Sequence, residues 1–233
     1  MNAQQYNAAF ERERRQSYPV IDALEKNLGF AVDRARLESA ARVLACPVKV
    51  NPPNWQHGRI IYAMAMRYLK HTTEPVIFLD IGTAKGFSAC VMTWALTAVH
   101  HTSPVVSIDV MNPQARVRRN SIAELGGLKT IQEFTEPFIE SFVPVEFLGC
   151  GSMAWLEQNT HRIGFAFVDG KHTYEAVMAE HIAIAKHQEL GDVIIFDDIQ
   201  IEPVHRAVSK LKGYAVMKID TGAGRKYAIA MKE

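Results

Sequence analysis

The chain has 233 residues, 48% of them hydrophobic, with 26 basic against 25 acidic side chains. This length and composition are typical of a globular protein with one large α/β domain, and they exclude a disordered chain. Because the charges balance, no overall field would attract nucleic acid or an anionic membrane, and we expect neither as a partner.

The sequence predicts a cytoplasmic location. Its first twenty residues lack the apolar core of a secretory signal, and no run approaches membrane-spanning length. Cys46, Cys90 and Cys150 are odd in number, far apart and set among apolar neighbours, as expected for reduced thiols. None belongs to a C-x-x-C pair, so we assign them no metal or redox chemistry.

The first third of the chain has helical periodicity from about residue 8 to residue 44. The proline-rich connector "CPVKVNPPNWQHG" follows, and a further helix is predicted from Arg59 to His71. We therefore predict an N-terminal helical extension over residues 1–72, with a lid as one role for it, and a main domain over residues 73–233.

Short apolar runs then alternate with helical segments. The predicted strands are Val76–Ile81, Val105–Ile108, Val145–Leu148, Gly164–Val168 and Val193–Phe196. Two helices are expected between residues 111 and 144, and two alternating runs around Thr221–Gly224 predict an antiparallel hairpin. The predicted fold class is α/β, a doubly wound, Rossmann-like, mostly parallel seven-stranded sheet with a C-terminal antiparallel hairpin.

The stretch "VIFLDIGTAKGFSA", residues 76–89, joins a buried strand to a helix through a glycine-rich turn. A phosphate-binding P-loop needs G-x-x-x-x-G-K-[ST], which is absent. A dinucleotide fingerprint needs glycines at the positions of Ala84 and Phe87, so the sequence disfavours an NAD oxidoreductase. A plain strand-turn-helix, with Gly82 and Gly86 serving packing alone, stays open on these residues.

The remaining pattern, D-x-G-x-x-x-G, resembles the class I S-adenosylmethionine (SAM) methyltransferases. The turn is most similar to that of the catechol and caffeoyl-CoA O-methyltransferase branch, matched by Gly82, Gly86, Phe87 and Ser88. The resemblance implies that Asp80 and the loop around Gly82 approach the amino-acid end of SAM. The cofactor-binding residues that it implies are Asp80, Gly82, Thr83, Ala84, Gly86, Ser88, Asp109, Gly151, Ser152 and Asp169.

Asp109 ends the next strand, about one βαβ unit beyond the glycines, where an acid can accept hydrogen bonds from both ribose hydroxyls. A lone acid after a strand is also commonly a cap or a solvated charge. The adenine-contacting segment of the family would fall at "LGCGSMAWLE", with Gly151 and Ser152 in the matching positions. The acid often found in that segment is missing here.

Carboxylates also end two later strands, Asp169 in one and the pair Asp197 and Asp198 in the other. If the strands are neighbours, the three acids converge and repel, and a hard divalent cation such as Mg²⁺ would relieve that repulsion. The alternative is that one of the pair caps a helix while Asp169 supports the turn at Gly170.

Catechol-type O-methyltransferases bind Mg²⁺ at the matching strand ends, which implies a metal site of Asp169, Asp197 and Asp198. Asp198 stands where catechol methyltransferase has an Asn, which would add one negative charge. The motif "VDGKHTYEAV … GDVIIFDDI" is more similar still to the "DGxHxYE … DD" motif of a bacterial group of methyltransferases. Enzymes related to that group include metal-dependent macrolide-sugar O-methyltransferases. The resemblance implies O-methylation of a small hydroxylated molecule of sugar or natural-product type, and relatives often form a homodimer.

His172 is our candidate general base, because it lies three residues after Asp169 and imidazole titrates near neutrality. Lys171 is the adjacent competitor, and a structural hydrogen bond is the alternative role for His172. In the connector, Trp55 and His57 could contact an acceptor, although an anchoring Trp in a stiff link is favoured. A metal-independent SAM methyltransferase and a non-catalytic SAM-binding module remain alternative functions.

Overall fold

The computed structural model describes residues 2–47, 52–118, 127–140 and 142–233. Its helices are α1 (Ala3–Arg15), α2 (Pro19–Leu28), α3 (Arg34–Leu44), α4 (His57–Leu69), α5 (Phe87–Ala98), α6 (Ile131–Thr135), α7 (Ser152–Leu156), α8 (Tyr174–Ala185) and α9 (Glu202–Val208). Its strands are β1 (Ile77–Ile81), β2 (Val105–Asp109), β3 (Val145–Gly149), β4 (Ile163–Val168), β5 (Val193–Phe196), β6 (Tyr214–Asp220) and β7 (Lys226–Lys232).

The strands form one seven-stranded sheet in the order β3-β2-β1-β4-β5-β7-β6. Neighbours from β3 to β5 pair in parallel, whereas β7 pairs antiparallel with both β5 and β6. This confirms the predicted mostly parallel sheet with its C-terminal hairpin. The winding reverses between β1 and β4, so the crevice at their carboxyl ends is where a ligand is expected in such a sheet.

Hydrophobic residues pack on both faces of the sheet. One cluster contains residues of the helices α1 through α5 and of the sheet, such as Phe78 and Ile229. In the other cluster, α8 and α9 pack against the opposite face of the sheet. Phe10 of α1 stacks on Trp55 with 4.3 Å between ring centroids. The N-terminal helices therefore share a core with the sheet, while the domain boundary at residue 72 stays a prediction.

Two stretches differ in detail from the sequence-based expectation. The helical pattern of residues 8–44 is divided into three helices, because Pro19 begins α2 and Gly29, with φ of 77°, ends it. In the span from 111 to 144, most of the first expected helix lies outside the described residues, and Val117 there bridges Lys129 in antiparallel fashion. The second is only the short α6, which starts at a capping box of Thr130 and Glu133.

Among the described residues, no helix combines the length and the apolar character that crossing a bilayer requires.

Candidate functional site

Two glycines allow the β1–α5 turn to approach the rest of the site. Gly82 has φ of 98°, and a Cβ on it would lie 2.2 Å from the carbonyl oxygen of Asp169. Gly86 has φ of 82°, and its Cβ would lie 2.5 Å from Cγ2 of Thr135. Because both glycines combine a left-handed backbone with a close neighbour, any side chain at either position would strain and displace the turn.

Asp80 supports this turn from beneath. It is completely buried and accepts hydrogen bonds from Ser88 Oγ at 2.6 Å and Ser107 Oγ at 2.5 Å. The Ser107 hydroxyl also lies 2.7 Å from Thr83 Oγ1. Burial raises the pKa of Asp80 to about 6, and the two hydroxyls oppose that shift. Asp80 therefore fixes the conformation of the loop above it.

Asp109 at the end of β2 is tied to the same turn. Its Oδ2 accepts a hydrogen bond from the Ala84 N–H at 3.0 Å, and its Oδ1 accepts one from the Met111 N–H at 3.0 Å. Ala84 has φ of 46°, a conformation that is uncommon for a residue with a side chain. The carboxylate is only partly buried, so it remains accessible to a ligand.

A cavity of about 590 Å³ lies at the carboxyl ends of β1, β2 and β4. Of the sequence-predicted cofactor residues, its wall contains Gly82, Ala84, Asp109, Gly151, Ser152 and Asp169. Asp80, Thr83, Gly86 and Ser88 are not part of that wall. A cavity of this size and position suits a small-molecule ligand. A larger cavity of about 740 Å³, which includes Pro75 and Arg162, lies at the amino ends of the strands, the edge where parallel sheets do not bind ligands.

Asp169, His172 and Asp198 form an acidic cluster beside this cavity. His172 Nε2 lies 3.1 Å from Asp169 Oδ1 and 3.7 Å from Asp198 Oδ2. One ligand atom from each of the three residues lies within 4.8 Å of the others, which is a spacing that could hold a metal ion. The hydrogen bond to Asp169 raises the pKa of His172, and partial burial opposes that shift.

Asp197 lies beneath that cluster. It is 3% exposed, and its Oδ1 accepts a hydrogen bond from the Asp198 N–H at 2.6 Å. Burial, together with the charges of Asp169 and Asp198, raises its pKa well above the ordinary value. Of the three predicted metal ligands, the structure thus brings Asp169 and Asp198 together with His172, whereas Asp197 is not in that group.

Arg225 is a member of the cluster that sequence reasoning missed. Its guanidinium contacts the carboxylate of Asp198. The residue directly precedes β7, and β7 pairs antiparallel with β5, so the hairpin returns a cation to the end of β5. The sequence predicted the hairpin but not the register of β7 against β5. Without that register, Arg225 could not be placed beside Asp198.

The remaining sequence candidates differ in accessibility. Lys171 is exposed and lines the 590 Å³ cavity, so both predicted bases are within the site. Trp55 is 2% exposed and packs on Phe10, as the anchoring alternative requires. The ring of His57 lies parallel to that of Phe167 at 5.6 Å between centroids.

The fold is shared with solved O-methyltransferases. An O-methyltransferase from Bacillus cereus in complex with SAH is 14% identical, has a TM-score of 0.55, and is matched over 99% of this chain and 100% of its own. The O-methyltransferase TomG from Streptomyces achromogenes, in complex with SAM, is 14% identical with a TM-score of 0.57, covering 100% and 99% of the two chains. At such identities the likeness shows the fold alone.

No curated protein matches the chain. A family profile described as a methyltransferase domain matches residues 79–199, from the middle of β1 to just beyond β5. That span covers more than half of the chain and includes the glycine turn, Asp109 and the acidic cluster, so the chain belongs to the methyltransferase-domain family, as its resemblance predicted.

Proposed function

We propose that the chain is a SAM-dependent O-methyltransferase that acts on a small hydroxylated molecule, with Mg²⁺ assisting the reaction. The main support for this proposal is that the acidic cluster lies between two cavities. Asp169 lines the 590 Å³ cavity assigned to the cofactor, and Asp198 lines a second cavity of about 340 Å³. His172 is within 3.7 Å of both carboxylates. The SAH and SAM bound by the two solved relatives support the choice of cofactor.

The second cavity suits a hydroxyl-rich acceptor. It is closed on one side by the N-terminal helices and on the other by the β6–β7 turn. Polar groups on its wall include Glu13, Asn54, Asp198, Thr221 and Arg225. These side chains can donate to or accept from several hydroxyls at once, while Tyr18, Pro52 and Ile201 offer apolar surface to the carbon skeleton of the acceptor.

Methyl transfer from a sulfonium is an in-line displacement, so the protein must mainly align the acceptor oxygen with the methyl carbon and remove the hydroxyl proton. His172 contacts one acid from each cavity, and with its Nε2 donating to Asp169, the other ring nitrogen, Nδ1, could take that proton. Bonding to Asp169 orients the ring and stabilises the imidazolium that results. SAM supplies the electrophilic methyl group.

The cluster fits a divalent cation in part. Two carboxylates suit Mg²⁺, which when bound would lower the pKa of an acceptor hydroxyl, while an imidazole ligand is less usual for this ion. Arg225 already offsets the charge of Asp198. That contact favours, as a second candidate, a metal-independent methyltransferase in which Arg225 takes the place of the cation.

Calorimetric titration of S-adenosylhomocysteine and of Mg²⁺ tests the proposal. Wild type should bind both, and Asp169→Asn and Asp198→Asn should lose most of the Mg²⁺ affinity. Asp220→Asn, which removes an exposed acid of the hairpin, is the matched control and should bind Mg²⁺ as wild type does.

Activity measured in EDTA separates the candidates. Intact turnover in EDTA would select the metal-independent enzyme, and tight S-adenosylhomocysteine binding without turnover on any hydroxylated acceptor would point to a non-catalytic module. A homodimer and a cytoplasmic location remain predictions from the sequence.

A further inference from the structure

Glu180 on α8 is a buried acid in the wall of the cofactor cavity. It is 4% exposed, and its Oε1 accepts a hydrogen bond from Ser152 Oγ at 2.6 Å. Its Oε2 is buried and has no hydrogen-bond partner among the described residues. Neither the sequence motifs nor the reaction proposed above uses this residue.

An unpartnered carboxylate oxygen in such a place is costly. Burying a polar atom without a hydrogen bond is unfavourable, and more so when the atom is charged. Burial accordingly raises the pKa of Glu180, although the Ser152 hydroxyl opposes the shift. A donor brought by a ligand in the cavity would offset that cost.

The position of Glu180 indicates which part of a ligand would supply the donor. Asp109, the candidate ribose acceptor, lines the cavity at the end of β2, and Ser152 begins α7 beyond β3. A Cβ on Gly170 would lie 3.6 Å from Glu180 Oε1, so the carboxylate sits against the chain that follows Asp169. A nucleoside whose ribose contacts Asp109 can place its base against Ser152 and Glu180.

We propose that Glu180, held in place by Ser152, accepts a hydrogen bond from the exocyclic 6-amino group of the cofactor's adenine and selects a 6-aminopurine. The inference rests on the proposed use of SAM. Ser152 acts here as a positioning residue, because its hydroxyl fixes one carboxylate oxygen and leaves the other for the base.

The test compares two ligands by calorimetry: S-adenosylhomocysteine and its analogue with unsubstituted purine in place of adenine. Wild type should bind the adenine ligand at least tenfold more tightly. In Glu180→Ala the two affinities should agree within about twofold, and in Ser152→Ala the ratio should fall part of the way. Glu175→Gln, an exposed acid on the same helix, is the control and should keep the wild-type ratio.

The design keeps the two proposals apart. If wild type binds neither ligand, the SAM proposal fails, whereas equal affinity of wild type for both ligands, or an unchanged ratio in Glu180→Ala, overturns the role of Glu180 alone. Asp109→Asn should weaken both ligands by the same factor and so preserve the ratio. Should Glu180→Ala not fold, Glu180→Gln, the wild-type ratio and Ser152→Ala still decide the question.

Discussion

The guanidinium of Arg225 contacts the carboxylate of Asp198, which lies 27 positions earlier in the sequence, at the acidic cluster. The contact puts a fixed positive charge beside the carboxylate that a metal ion would also neutralise. Arg225 and Mg²⁺ should therefore compete for the same carboxylate.

Arg225→Gln should raise the affinity for Mg²⁺ by about tenfold. A unit charge about 5 Å from a cation contributes a few kcal/mol at an effective dielectric constant of about 20, and exposure to solvent reduces that value. Calorimetry of Mg²⁺ binding at constant ionic strength measures the change. Lys226→Gln removes the neighbouring positive charge and should leave the affinity nearly unchanged; weaker binding by Arg225→Gln would show that the guanidinium supports the site.

Gly82→Ala should abolish S-adenosylhomocysteine binding and lower the free energy of unfolding by more than about 2 kcal/mol. The new Cβ would meet the Asp169 carbonyl at 2.2 Å while the residue keeps φ of 98°, so strain and a steric clash add together. Gly222→Ala is the matched control, because Gly222 also has a positive φ, of 70°, but nothing within 4 Å of a Cβ. If both variants lose the same free energy of unfolding, the close contact between position 82 and the Asp169 carbonyl does not contribute to the destabilisation.

Much of the fold could be predicted from the sequence because buried strands, glycine turns and helical periodicity are local signals. Asp80 is the last residue but one of β1, Asp109 ends β2 and Asp169 directly follows β4, and parallel pairing brings these positions to one edge of the sheet. The hairpin followed from its own alternating pattern.

The side-chain arrangement of the site could not be predicted in the same way. Whether Asp197 or Asp198 faces the cluster depends on the twist of the chain after β5, where Asp198 has φ of 54°. Arg225 and Glu180 reach the site through strand register and helix packing, which are long-range properties. No spacing in the linear sequence encodes either contact.

The stability of Asp80→Asn relative to wild type should increase as the pH rises from about 4 to about 7. The pKa of Asp80 is raised to about 6 in the folded protein, above its unfolded value of about 3.9, so the folded state binds the proton more tightly. The resulting stabilisation is fully present below pH 4 and disappears as the pH passes 6. Two pKa units correspond to about 3 kcal/mol of unfolding free energy, which wild type loses as the pH rises. Asp80→Asn does not lose it, because Asn stays neutral.

Urea unfolding of both proteins between pH 4 and pH 8 measures this difference. Glu74→Gln, which alters an exposed acid, is the control and should run parallel to wild type. A constant difference between Asp80→Asn and wild type across this range would show that Asp80 stays ionised beneath the turn, and its two serine hydroxyls would then be sufficient to stabilise the charge.

Glu25→Gln should destabilise the whole protein by about 3 kcal/mol. Arg59 of α4 is 2% exposed and its Nε donates to Glu25 Oε1 at 3.0 Å. Among the described residues, the change leaves this buried guanidinium with the half-exposed Asp22 as its anionic partner. Glu140→Gln breaks the half-exposed pair with Arg36 and should cost about 1 kcal/mol or less.

The shape of the unfolding curve carries further information about the N-terminal helices. Because α1 to α4 share one hydrophobic cluster with the sheet, Glu25→Gln should unfold in a single transition that tryptophan fluorescence and circular dichroism both follow. Two separated transitions would mean instead that the first 72 residues open independently, as a detachable lid requires. In that case the cavity that contains Glu13 and Asn54 would exist only in the closed form, and acceptor binding would depend on closure.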